Sequence, residues 1–153
     1  MANLQKLRAE LDAGHPVTGA YSDNPQIASD QINALNRSRI NPVRSAELLA
    51  WSGQSSVGDR PRIIKIDEGK SNADENCVAL CITADEMIKR DNTTLDLNLP
   101  DRVQMFDALV AFGVLSESDK SSVYEIATEA ISRAVELSLG VVRAGTVEQA
   151  RNL

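Results

Sequence analysis

The chain has 153 residues, 42% of them hydrophobic, and a formal net charge of −6. A chain of this length can bury a core without disulfides or metal, so one globular domain spanning 1–153 is expected. Aromatics make up only 3%, too few for a base-stacking or carbohydrate-binding platform. The acidic balance argues against direct binding of nucleic acid or anionic membrane, both of which need a basic face.

Leu4, Leu7 and Leu11 form a helical stripe that Gly14 and Pro16 terminate. A loop follows to Asn24, which caps a second helix with Pro25 at its first position. Ile27, Ala28, Ile32 and Leu35 form the stripe of that helix. Residues 36–41 break the pattern, and a short third helix carries Leu48, Leu49 and Trp51. Residues 53–72 are the least regular stretch, expected as an irregular or mobile insertion in which Arg62 to Ile66 is a short strand or a turn of helix.

Residues 73–90 predict a long helix with Val78, Cys81, Ile82, Ala84, Met87 and Ile88 in register. Residues 93–99 read as an extended connector whose leucines cover a core edge. Pro100 opens a helix with Val103, Phe106, Leu109 and Val110 inward, closed by Gly113. Ser116 and Asp119 resemble a capping box. The next helix is expected to run to Leu137 on the stripe Val123, Ile126, Ala127, Ala130, Ile131, Ala134 and Leu137. Glu129 and Arg133 form an i, i+4 pair on its outer face. Gly140 closes it, and Thr146 with Gln149 caps a last short helix. The fold expected is mostly α: a compact bundle of about six to seven helices with an αα-hairpin around Gly113 and an irregular loop at 53–72.

No residue set is assigned a catalytic, cofactor-binding or metal-binding role, and the chain is not expected to be an enzyme. His15, the only histidine, precedes a proline in a loop with no nucleophile motif, so it reads as a surface or hinge residue. Cys77 and Cys81 share one helix face and read as buried thiols; with His15 they remain a ligand short of a zinc site. Gly53 and Gly58 have phosphate-loop spacing, but Asp59-Arg60 stand where Lys and Ser/Thr are required. Asp74-Glu75 and Asp85-Glu86 read as solvated faces, as do the acids and amides of 91–101, which lack the central Gly of a calcium loop. Arg37, Arg39 and Arg44 are the best basic cluster and read as loop charges. The start Ser116-Glu117-Ser118-Asp119 opposes a DNA-recognition helix.

The charged N-terminal stretch lacks an apolar segment of signal-peptide length, and the longest apolar run, 78–82, falls far short of a membrane span. Two sets of residues carry a resemblance. One is Leu7-Arg8-Ala9-Glu10-Leu11, Gly14-His15-Pro16 and Ala34-Leu35-Asn36-Arg37. The other is Ala130-Ile131-Ser132-Arg133-Ala134, Glu136-Leu137, Leu139-Gly140 and the run from Val142 to Arg151. With these the chain resembles a family of small helical proteins encoded by tailed bacteriophages and prophages in the virion structural and tail gene region. The likeness covers both ends and the hairpin at Gly113, and lapses at 53–76.

Its motifs are packing and capping motifs. The resemblance implies a virion structural or accessory protein of tail, neck or fibre attachment, made in the host cytoplasm and carried in the virion. It would work by protein–protein contact with other phage structural proteins, several copies per particle, with no cofactor. The alternative expectation is a non-virion phage regulator or inhibitor that binds a host protein.

Overall fold

The structure is a computed structural model that describes residues 2–90 and 94–153. It is mostly helical, 59% of the chain, with two small antiparallel sheets. The expectation of a mostly α fold holds. Among the described residues there are nine helices, more than the six or seven expected. The chain forms two compact units, Met1–Arg39 with Glu129–Leu153, and Ile40–Thr128.

The first unit holds α1 (Ala2–Ala13), α2 (Pro25–Asn33), α8 (Arg133–Glu136) and α9 (Ala144–Arg151). Its core is Leu7, Tyr21, Ala28, Ile32, Ala134, Val142, Val147 and Ala150. Asn24 caps α2 as expected, its side chain accepting from the Gln26 and Ile27 amides. The stripe of α2 differs from its sequence reading: Ile27 is exposed, Ser29 is buried, and Leu35 lies beyond the helix end in solvent. α9 begins two residues before Thr146, on Arg143, without a side-chain cap.

β1 (Arg37–Ile40) and β4 (Thr128–Ile131) pair as a two-stranded ribbon. The chain leaves the first unit in β1 and returns to it in β4. Residues 36–41, read as a pattern break, thus contain a strand.

The second unit holds α3 (Ser45–Gly53), α4 (Arg62–Gly69), α5 (Glu75–Lys89), α6 (Pro100–Ala111) and α7 (Glu117–Ala127). β2 (Val43–Arg44) pairs antiparallel with β3 (Thr94–Leu95), Val43 opposite Leu95. This core is larger and includes Val43, Leu48, Trp51, Ile66, Phe106, Leu109 and Val123. Trp51 meets Phe106 edge-on at 5.9 Å between ring centroids, the favoured aromatic geometry. Of the connector leucines expected to cover a core edge, Leu95 and Leu97 are buried, whereas Leu99 is exposed. Residues 91–93, where that connector and the expected acidic run begin, lie outside the described residues.

The hairpin at Gly113 is present. Gly113 has φ +73°. Its amide donates to the Val110 carbonyl at 2.9 Å, and the Val114 amide donates to Leu109 at 2.9 Å. These two bonds make a Schellman closure, which needs a left-handed residue at this position and so favours glycine.

Two larger expectations about the elements also fail. Residues 62–69 form α4 rather than an irregular insertion. The long helix expected to reach Leu137 stops at Ala127. Thr128 takes extended backbone, and its hydroxyl donates to the Tyr124 carbonyl at 2.7 Å. Residues 128–131 then pair with β1, and Ser132 caps the separate short helix α8 through the Val135 amide. Strand pairing satisfies backbone groups that helix continuation would otherwise satisfy. Glu129 and Arg133 therefore do not share a helix face. Glu129 accepts from Arg39 at 2.9 Å, and Arg133 turns to Glu10 and Glu136.

Candidate functional site

Each unit contains a buried polar network built around a carboxylate hub, and the second unit also carries an open furrow.

In the first unit, Glu10 on α1 is the hub. It accepts two bonds from the Arg133 guanidinium, at 2.9 and 3.0 Å, and one from the Tyr21 hydroxyl at 2.9 Å. Arg133 also reaches Glu136 at 2.9 Å, and Arg37 makes a two-pronged bond to Glu136 at 2.8 and 2.9 Å. Burial alone would raise the Glu10 carboxyl, but the bonds from Arg133 and Tyr21 outweigh it and hold it below the usual range. Arg37 and Arg133 hold Glu136 down at about 2. Burial and the Glu10 carboxylate push the Tyr21 hydroxyl up.

His15 is buried rather than on the surface or at a hinge. Its Nδ1 accepts from the Val17 and Thr18 amides at 3.0 and 3.2 Å, and its backbone bridges Gly19 in both directions. The ring stands edge-on to Tyr21 at 5.9 Å. Nε2 is buried without a hydrogen-bond partner. The histidine organises the 15–19 turn. The signal in the sequence was the flanking pair Gly14 and Gly19, both at positive φ, which allow the chain to fold back around one ring.

In the second unit, Asp119 on α7 is the hub. Its Oδ1 accepts from Ser56 at 2.8 Å and from Arg62 Nε at 2.9 Å. Its Oδ2 accepts from the Ser116 amide at 2.8 Å and from the Lys65 ammonium. The Asp119 amide donates back to Ser116 Oγ at 3.1 Å, completing the expected capping box. Lys65 also pairs with Asp59. Arg62 donates to the Trp51 carbonyl at 2.9 Å and lies 5.0 Å from the Trp51 ring centroid, a cation–π distance.

Burial would raise the Asp119 carboxyl; the bonds from Lys65, the Ser116 amide and Ser56 outweigh it and hold it well below the usual range. Lys65 is correspondingly raised, its two carboxylate partners outweighing burial. The two cations and two anions balance, and the described donors are consumed inside the network.

Other sequence candidates sit apart from one another. Arg37 and Arg39 are paired with Glu136 and Glu129, so two charges of the basic cluster are neutralised. Cys77 and Cys81 are free and buried, as read, and burial with the Cys77 neighbour pushes the Cys81 thiol up to about 11. Gly53 and Gly58 flank a loop in which Asp59 turns to Lys65. Asp85 is buried between Lys70 and Lys89, not on a solvated face. Asp74 caps α5 through the Asn76 amide. Among the described residues no group of three or more His, Cys, Asp or Glu is placed to hold a metal ion, and no helix is long and apolar enough to cross a membrane.

The furrow lies between α5 and α6. One stretch, about 420 Å³, has Ala79, Leu80, Met105 and Ala108 along it, with Asp101 and Arg102 at the rim. An adjoining stretch of about 230 Å³ continues past Met87 and Glu86 to Arg90. Thr83 and Arg102 line both. Spacing at 79, 80, 83, 86, 87 and 90 is one face of a helix. Met87 packs against the core as expected while also lining the furrow, whereas Ile82, expected inward, is 43% exposed and lies outside the furrow.

No family model, no curated protein and no solved structure matches the chain.

Proposed function

We propose that the chain is a bacteriophage virion structural or accessory protein that works by protein–protein contact, in the tail, neck or fibre-attachment region. One observation supports this reading above the rest. The two sequence stretches that carry the phage resemblance lie at opposite ends of the chain and meet in one compact unit. Their charged residues Glu10, Arg37, Arg133 and Glu136 are spent on each other. Asn33 adds a further brace, its side chain bonding both the carbonyl and the amide of Val142 at 2.7 and 3.1 Å. The signature is therefore a scaffold, which suits a part that is built into an assembly.

The same brace brings two exposed apolar residues to one region of that unit. Leu35, two residues beyond Asn33, is 71% exposed, and Val141, beside Val142, is 83% exposed. Exposed aliphatics suit contact with another protein surface.

Quantitative mass spectrometry of purified particles from the encoding phage or prophage tests the reading. Stoichiometric, multi-copy presence is expected, and Leu35→Asp with Val141→Asp should lower incorporation several-fold while leaving helical content unchanged. Absence from particles, with capture of one host protein instead, would replace this reading with that of a host-directed regulator.

A further inference from the structure

We propose that Cys77 and Cys81 form a binding site for one soft monovalent metal ion, copper(I), held as a two-coordinate bis-thiolate in the core of the second unit. The inference stands on that unit alone and does not depend on the virion reading.

The two cysteines stand four residues apart on α5, so one turn of helix puts both thiols on the same face. Both are free and fully buried, and Cys77 is a hydrogen-bond partner of Cys81. The two sulfurs therefore already meet. A disulfide does not fit an intact helix here. Cβ atoms at this spacing lie about 5–6 Å apart, whereas a disulfide holds them at about 3.5–4.5 Å. A metal ion between the sulfurs spans a gap that an S–S bond does not.

The surroundings select the ion. Among the described residues no third His, Cys, Asp or Glu joins the pair to hold a metal, so the four ligands of a structural zinc site are not there. The neighbours in this core include the apolar Ile66 and Val114, which offer no oxygens to a hard cation such as calcium or magnesium. Thiolates are soft ligands and favour copper(I), an ion satisfied by two sulfurs in line. Binding forms two Cu–S bonds and breaks two S–H bonds; both protons leave to solvent and no electron is transferred. The product carries one net negative charge. The Lys70 ammonium is close enough to favour the Cys81 thiolate against burial, and so offsets that charge.

Gly69 provides the way in. Cys81 Sγ packs against the Gly69 backbone, where any side chain would collide with the sulfur. Gly69 also lines an open crevice of about 170 Å³ with Asn72, Gly113 and Val114. One glycine backbone thus stands between the thiol and that crevice.

Anaerobic titration of the reduced full chain with copper(I), buffered by bicinchoninate, tests the site. Retention of one copper(I) per chain is expected, with X-ray absorption showing sulfur neighbours and neither nitrogen nor oxygen. Cys77→Ala and Cys81→Ala should each weaken retention by more than the roughly 10- to 100-fold that loss of a supporting residue costs a metal site. A large excess of zinc should not displace the copper. Copper(I) should also raise the melting temperature, because the folded chain holds the ion more tightly than the unfolded one. That shift and the ligand shell are both read on the unsubstituted chain, so they decide the matter even where a cysteine variant fails to fold. No retention against bicinchoninate, nitrogen or oxygen in the shell, displacement by zinc, a lowered melting temperature, or a single-cysteine variant that binds as tightly as the parent would each overturn the proposal.

Discussion

Asp119 is fully buried, yet it stays ionised because four donors converge on its two oxygens. Removing it strands Arg62 and Lys65, which are themselves buried. Asp119→Ala should therefore destabilise the second unit by about 3–5 kcal/mol, the cost of an uncompensated buried charge. Urea unfolding followed through Trp51 fluorescence checks this, since Trp51 touches Arg62 in the same unit. At the other hub the acid response is set by Glu136, held at about 2 against an ordinary 4.5. A depressed carboxyl stabilises the fold above its unfolded pKa and loses that stabilisation as pH falls through the folded one. The contribution should fade between pH 4.5 and about 2. In Glu136→Gln, stability should fall less steeply across that window, measured by chemical denaturation at stepped pH. The capping box at Ser116 and Asp119 was readable from local spacing. The second task of Asp119 was not, because its partners Ser56, Arg62 and Lys65 are more than 50 residues away.

At the scale of elements, α4 shows why residues 53–72 resisted sequence reading. Its polarity is inverted: Arg62 is 3% exposed and Ile64 is 45% exposed. It has no side-chain cap. Sequence patterning assumes that charge faces water, and here the Asp119 hub reverses that rule. α4 also ends against α5 with no room to spare. A Cβ on Gly69 would lie 2.3 Å from Cys81 Sγ and 3.2 Å from Val114. Gly69→Ala should cost about 1–3 kcal/mol through overpacking, and Cys81→Ala in the same chain should relieve most of it. A double-mutant cycle in thermal stability measures the coupling. The α7 boundary failed for a different reason. Its apolar stripe does continue past Ala127, since Ile131 and Ala134 are also buried, but alternate and helical spacings overlap over so few residues. Only the presence of β1 as a pairing partner selects the strand.

For the whole molecule, the chain order and the structural units do not coincide. The first unit is discontinuous, made from both ends, while the second is one uninterrupted stretch. The single-domain expectation came from length, and length is silent on such nesting. A continuous stretch with its own apolar core should fold by itself. Residues 40–128 expressed alone are expected to give a cooperative urea transition with Trp51 emission still blue-shifted; a non-cooperative transition would show that the core needs the rest of the chain.

Composition and periodicity by themselves determined the helical class, the caps at Asn24 and Ser116, the Gly113 hairpin and the buried thiols. These depend on neighbours within about four residues, where backbone geometry leaves few choices. Tertiary structure alone decided the inward turn of Arg62 and Lys65, the burial of His15, the end of α7 at Ala127 and the exposure of Ile82. The first depends on a buried carboxylate more than 50 residues away and the third on a strand to pair with, while the burial of His15 and the exposure of Ile82 depend on how the surrounding chain packs. The missing catalytic motif was a reading of local spacing. In the folded chain the buried charges of both hubs are gathered from distant residues and paired with one another.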